Sequence, residues 1–339
     1  EPLRLAPWQA AVAYAALAAL AVMLARRRAA RGAGASVALS AALADPDTPL
    51  GRLRERWRRL PRATRAGARV AAVCAVAALV AGLARPPGPP DVLTVSFLDV
   101  GQGDATLVQH PRGGTLLVDG GPPEGRVVRL LRRAGVRRLD AVVATHAARD
   151  HHGGLAEVLA ELPVRLLLDG GDGTADPSYR ALLATARRRG VRIVPARAGL
   201  TLRAGALTIR VLSPPPRPPG PPPEDPNPRA VVTLVSAGGF DLLLSGDAES
   251  GTLLRLPLPD VEAMKVPHHG SADPGLPEVL RRARPEVAAI PVGENSYGHP
   301  APSTLAALRA AVPRVARTDE DGTIRIEVAA GGYRVRTER

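Results

Sequence analysis

The chain has 339 residues, 45% of them hydrophobic, with 45 Lys+Arg against 32 Asp+Glu for a formal charge of +13. That apolar fraction excludes a disordered tail, the single Cys74 excludes a disulfide scaffold or cysteine-rich zinc module, and 2% aromatics argues against base-stacking platforms. Residues 1–90 carry 14 Arg and 4 acids while residues 91–339 stand at only +3, so two different objects are joined and the second lacks a strong nucleic-acid footprint.

The first object reads as membrane. Leu5 to Ala25 is an uncharged run of 21 residues, about 31 Å long as a helix, with Trp8 near its start and Arg26, Arg27 and Arg28 at its end. Val70 to Ala84 is a second uncharged run of 15 residues, about 22 Å, which spans a bilayer only if Arg69 and Arg85 snorkel. Two transmembrane helices are expected, at about 5–25 and 68–85; the alternative is a pair of alanine-rich helices buried in a larger assembly. Between Arg26 and Arg69 lie 12 arginines and 3 acids. Such a loop stays in the cytoplasm against anionic lipid, which puts everything after Arg85 on the outer face of a multi-pass membrane protein. Residue 1 is Glu and no basic leader precedes the first run, so these are expected to be the last spans of something longer.

Pro86-Pro-Gly-Pro-Pro90 cannot continue a helix and marks a linker into a second domain, residues 91–339. Apolar, β-branched runs predict strands over 92–98, 106–108, 115–118, 139–145, 165–168, 191–194, 207–212, 230–235, 241–244, 263–266 and 287–291, with a last hairpin over 323–335. Helical periodicity is predicted over 127–134, 155–162, 179–189, 276–284 and 303–311. This α/β pattern suggests two sheets packed between helix layers. The Pro-rich stretch 213–228 reads as a surface insertion without packed structure.

Polar residues crowd the strand ends. Thr145-His-Ala-Ala-Arg-Asp-His-His-Gly-Gly154 follows an apolar strand, so His146, Asp150, His151 and His152 emerge together on a loop tightened by two glycines. Imidazole and carboxylate are the ligand set for Zn²⁺, Mn²⁺ or Fe²⁺; the bland alternative is a hydrogen-bonded loop cluster.

These residues resemble a family. With Ala148 at its centre, His146-x-x-x-Asp150-His151 is one position short of the His-x-His-x-Asp-His signature of the metallo-β-lactamase fold. Phe97-Leu-Asp-Val-Gly-Gln-Gly-Asp-Ala105, Leu117-Val-Asp-Gly-Gly121, Leu244-Ser-Gly-Asp247, Lys265-Val-Pro-His-His-Gly-Ser271 and Asn295-Ser-Tyr-Gly-His-Pro300 are similar to its ComEC-type branch, the DNA-internalisation proteins of natural competence. The resemblance covers 91–339 and implies a metallo-β-lactamase-like αββα sandwich preceded by two transmembrane helices. It further implies that His146, Asp150, His151, Asp247 and one of His268 and His269, with His268 preferred, surround one or two divalent ions, Zn or Mn. Asp150, Asp247, Asp104 and His299 are the expected catalytic groups, Asp99 and Gln102 expected to orient the site, and Asp119 a brace for the His146 loop.

Alanine has no donor atom, so three outcomes stay open: one ion, two ions with water or His152 filling the gap, or no catalytic metal. The implied function is DNA uptake with an outward-facing metal-dependent phosphodiesterase or nuclease, its partners DNA (single strand or duplex), membrane lipid and other competence proteins. The alternatives are a catalytically silent module shaping a DNA channel and a hydrolase of another ester.

Overall fold

The computed structural model describes residues 45–48, 52, 55, 57–83 and 88–339, and the chain divides into two units, Glu1–Arg85 and Pro86–Arg339. In the first unit α1 (Arg62–Leu83) takes in most of the second predicted span. Arg62, Arg65 and Arg69 occupy its first two turns and leave 14 uncharged residues, about 21 Å of helix, against a hydrocarbon core of about 30 Å. Among the described residues no helix is long and apolar enough to cross a membrane. The first predicted run, 5–25, and most of the basic loop lie outside the described residues.

The second unit is built from two sheets. In chain order the strands are β1 (Leu93–Phe97), β2 (Thr106–Gln109), β3 (Thr115–Val118), β4 (Ala141–Ala144), β5 (Leu166–Asp169) and β6 (Arg192–Pro195), then β7 (Thr201–Ala204), β8 (Leu207–Ser213), β9 (Val232–Ala237), β10 (Phe240–Leu244), β11 (Ala263–Lys265), β12 (Val287–Ile290) and β13 (Arg314–Arg317), and last β14 (Ile324–Ala329) and β15 (Gly332–Thr337). One sheet runs β15-β14-β1-β2-β3-β4-β5-β6 and the other β13-β12-β11-β10-β9-β8-β7. Strands β3 to β6 are parallel, as are β10 to β13.

Alternation along each strand sorts side chains between three cores. Leu116, Val118, Val143 and Leu168 face inward to meet Ile209, Val235, Leu242 and Val287 of the other sheet. Their neighbours Leu117, Val142 and Leu167 turn outward onto Leu131, Leu159 and Leu182 of α2 (Val127–Arg133), α4 (Leu155–Glu161) and α5 (Pro177–Arg188). A single turn, α3 (Arg149–His152), precedes α4. On the far side Leu243, Met264 and Ala288 pack on Leu253 of α6 (Ser250–Leu253), Val279 and Leu280 of α7 (Leu276–Ala283) and Leu308 of α8 (Pro302–Ala311). A further turn, α9 (Thr318–Asp321), leads into β14. Both faces of both sheets are therefore covered, which is why the strands read as continuous apolar runs.

Helix α7 shows the local logic. Leu276, Val279, Leu280 and Ala283 recur at helical spacing and are buried, Glu278 sits in the first turn, and Arg281 and Arg282 sit in the last. The four layers are the predicted αββα sandwich. From Pro214 to Pro226 the Pro-rich insertion has no helix or strand. It is pinned at its end, where Arg229 Nε donates to the buried Asp172 Oδ2 at 2.5 Å.

Candidate metal centre

The carboxyl ends of β3, β4, β10, β11 and β12 bring the polar residues to one edge of the sandwich. Val231 N donates to Thr145 O at 2.9 Å, tying the two sheets together there. Two glycines let the backbone approach closely enough. A Cβ on Gly103, whose φ is +142, would stand 2.3 Å from Asp150 O, and one on Gly154 would stand 2.3 Å from Gly120 O. Asp104 N can therefore donate to Asp150 O at 3.0 Å and clamp the His146 loop.

His268 and His269 both adopt left-handed backbone angles, with φ of 48 and 52. For non-glycine residues this costs about 1–3 kcal/mol each, the kind of strain that surrounding structure sustains at functional sites. Its result is a parting of the two rings. His269 is buried, whereas the His268 side chain remains 30% exposed.

Four imidazoles are held in the same sense. His146 Nδ1 lies 2.9 Å from Thr145 Oγ1, which donates to Asp119 Oδ2 at 2.7 Å. His151 Nδ1 lies 2.8 Å from the same carboxylate oxygen. His268 Nδ1 is bonded to Glu249 Oε1, and His269 Nδ1 to Pro291 O, both at 2.8 Å. Each Nδ1 thus donates, which leaves each Nε2 as the nitrogen that can turn a lone pair to the cleft side once it gives up its proton.

Those Nε2 atoms converge on Asp247. His151 Nε2 stands 3.1 Å and His269 Nε2 3.7 Å from Asp247 Oδ1; His268 Nε2 stands 3.7 Å and His146 Nε2 4.0 Å from Asp247 Oδ2. Asp150 Oδ2 closes the first side, 3.2 Å from His269 Nε2. The donor atoms of Asp150, His151 and His269 lie within 4.8 Å of one another, as do those of His146, His151 and Asp247. Buried Nε2 atoms of His146, His151 and His269 have no hydrogen-bond partner. Unpartnered ring nitrogens beside carboxylates fit a divalent cation, which would replace the protons on them.

Charge tells the same story. Burial works against a charged His269, yet Asp247 and Asp104 overcome it and lift the imidazole to about 9. His151 is likewise raised against burial by Asp247, Asp104 and Asp119. Asp247, which burial alone would raise, is held well below the carboxylate range by His151, His269 and Lys265. The pocket demands positive charge. On the other side, burial and then the charge of His151 push His146 down to about 3, leaving it neutral.

Not every expected residue joins the centre. Asp104 is buried behind the histidines, 2.6 Å from Lys265 Nζ, and positions rather than faces the cleft. Asp99 accepts from Arg339 at 2.9 Å, outside the cluster, and Gln102 lines the cleft while accepting from Gly293 N at 3.2 Å. His152 does not fill the gap at Ala148: its Nε2 is bonded to Ser178 Oγ at 2.8 Å and its ring packs edge-on against Tyr179. The α3 turn carries it to the opposite face from His151. Asp119 is the brace described above, accepting also from Thr145 N at 2.8 Å.

Sequence reasoning preferred His268 to His269, but the structure puts His269 in the buried group and His268 on the open side. It also overlooked Lys265, whose ammonium bonds Gly246 O at 2.5 Å and stands 3.5 Å from Asp247 Oδ1, and Glu249, which orients His268. Lys265 opens the Lys265-Val-Pro-His-His-Gly-Ser271 motif, and its place at the end of an apolar strand is the signal for it. Ala148, Asp150, Asp247, His268, His269 and His299 line an open cleft of about 660 Å³.

Residues 98–294 match the metallo-beta-lactamase superfamily, and the chain belongs to it. Its relatives include a ComE operon protein, a recombination protein and a competence protein, in keeping with the ComEC-type motifs. ComE operon protein 3 of Bacillus subtilis is 31% identical over 254 residues, 68% of this chain and 32% of that protein. Recombination protein 2 of Haemophilus influenzae is 27% identical over 68% of this chain and 28% of its own length, and competence protein ComA of Neisseria gonorrhoeae 28% identical over 74% and 34%. The chain spans about a third of the length of these relatives.

Proposed function

We propose that this chain is part of a membrane-anchored DNA-uptake protein whose domain 91–339 is a divalent-metal-dependent phosphodiesterase on the outer face of the cell membrane. The observation that carries the reading is the convergence of four imidazole Nε2 atoms on one buried carboxylate, Asp247, at the floor of an open cleft. The names of the relatives, which concern competence and recombination, favour DNA over a small ester. The uncharged runs at 5–25 and 70–84 and the arginine-rich loop between them favour membrane attachment, anionic lipid as a partner and an outward domain. Other competence proteins are further partners on this reading.

Asp150, His151, Asp247 and His269 would hold an ion, and His146 with the other oxygen of Asp247 would contribute to a second. Zn²⁺ and Mn²⁺ both suit this donor set. When bound, such an ion supplies Lewis acidity toward a phosphoryl oxygen and acidifies water. The rest falls to the chain. Asp119 and Thr145 keep His146 and His151 in the ligating tautomer, and Lys265 holds Asp104 and Asp247 ionised in a buried site. His268 and His299, their rings 5.4 Å apart on the cleft wall, stand where a departing oxygen would take up a proton.

One observation favours a second reading. Ala148 lines the cleft where the superfamily signature carries a histidine, leaving the His146 side short of a donor; a site that holds no ion would make the domain a silent module at a DNA channel. Incubating the purified chain with single-stranded DNA, duplex DNA, a lactone and a β-lactam in Mn²⁺ or Zn²⁺ separates the readings. Phosphodiester cleavage that stops on chelation is expected. Metal-loaded protein that cleaves none of the four overturns the enzyme reading, and cleavage of a small ester alone replaces DNA as substrate.

A further inference from the structure

Among the described residues the exposed large apolar side chains are Leu60, Val70, Val73 and Tyr297, and of these Tyr297 alone belongs to the second unit. It is 74% exposed and lines the metal cleft. An exposed tyrosine is ordinary by itself. This one is presented on a braced frame: Asn295 Nδ2 donates to the carbonyls of Gly293 and His299 at 2.8 Å, and Asn295 Oδ1 accepts from Tyr297 N and His299 N at 3.1 Å. One side-chain amide thereby cross-links the whole turn.

The ring also stands in a line of rings. Tyr297 lies 5.8 Å from His299, which lies 5.4 Å from His268, whose Nε2 is 3.7 Å from Asp247. The line runs from the cleft mouth to its floor. A strand entering the cleft would meet the exposed Tyr297 ring at the outer end of that line.

We propose that Tyr297 is a stacking subsite for one unpaired nucleobase of a strand whose phosphate backbone enters the cleft, a proposal that rests on the phosphodiesterase reading of the cleft. Every base offers a π-face, so the subsite is tolerant of sequence. In a duplex both faces of each internal base are already covered, so the subsite selects single-stranded nucleic acid. With 2% aromatics the chain cannot stack a run of bases, but one ring serves one base.

The test compares binding of the full chain, in Ca²⁺, to a short labelled oligothymidylate and to an abasic oligomer with the same phosphate backbone. The base-bearing strand is expected to bind about 5- to 100-fold tighter, the range that stacking of one base gives. Tyr297→Ala should abolish that preference and Tyr297→Phe should keep it. A wild-type chain without the preference, or a preference that survives Tyr297→Ala, overturns the proposal. Hydrolysis of bis(p-nitrophenyl) phosphate by the wild-type chain is scored separately: no hydrolysis with the base preference intact sinks the phosphodiesterase reading alone, and hydrolysis without the preference sinks the stacking subsite alone.

Discussion

The two oxygens of Asp247 face two different environments. On the Oδ1 side Asp150, His151 and His269 close around the carboxylate, and Lys265 backs it from the interior. On the Oδ2 side stand His146 and His268, at 4.0 and 3.7 Å, and Ala148, which lines the cleft, adds no donor atom. A complete side and an incomplete one share a single bridging residue. Imidazole orientation is the same on both, so what separates them is the number of donors, not the tautomer.

Removing the shared residue should have the largest effect. Asp247→Asn takes a charge from both sides, and phosphodiester hydrolysis should fall by roughly 10³-fold or more, the scale of losing a central charge-stabilising group; initial rates with Mn²⁺ measure it. Breaking one side at a time tests the asymmetry itself. His269→Ala should strip the tightly held ion, whereas His146→Ala should leave it in place, as isothermal titration with Zn²⁺ would register. Equal losses in the two variants would contradict the division.

Asp119→Asn leaves every donor atom present but frees the His151 ring and the Thr145 hydroxyl that orients His146. Metal affinity should drop by about 10- to 100-fold, typical for a group that orients ligands without touching the ion. Ala148→His works in the opposite direction. It should add a donor on the Oδ2 side and raise the affinity for a second ion by at least about tenfold, leaving the first unchanged. A second ion no tighter than in the parent would show that the gap is not what limits that side.

The smallest effect is on stability. In chelated protein His269 has its folded pKa lifted from an ordinary value near 6.5 to about 9, first against burial and then by Asp247 and Asp104. Its contribution is fully present below pH ~6.5 and disappears as pH rises through about 9. The thermal midpoint of the chelated chain should therefore decline across that window, while metal-loaded protein, whose imidazoles are already deprotonated, should show little of that decline.

Much of the fold was legible because both faces of the sheets are buried. Leu116-Leu117-Val118 and Ala141-Val142-Val143 read as strands from composition alone, and they are. The edge strands of the second sheet were not. In β7, Thr201-Leu-Arg-Ala204, and β13, Arg314-Val-Ala-Arg317, polar side chains face solvent and the apolar signal falls to one or two residues. The helix at Arg62–Leu83 was legible as apolar, but its first two turns carry Arg62, Arg65 and Arg69, so the helix begins before the uncharged run does.

The motif carried the strand-end residues to one place, yet it could not say which of two adjacent histidines turns inward. That depends on two left-handed backbone conformations, for which no residue type is diagnostic when the residues are histidines. Lys265 went unnoticed for a related reason: a lone lysine ordinarily belongs to the surface, and only Asp104, just before β2, and Asp247, just after β10, make it a buried cation.

The central claim is that Asp150, His151, Asp247 and His269 hold a divalent ion. Elemental analysis of the purified chain after loading with Zn²⁺ or Mn²⁺ and dialysis counts it directly. Close to one equivalent per chain is expected for a formed site, falling below about 0.2 in His269→Ala and in Asp150→Asn. Wild-type protein that retains less than about 0.2 equivalents, or variants that retain as much as the wild type, would contradict the account.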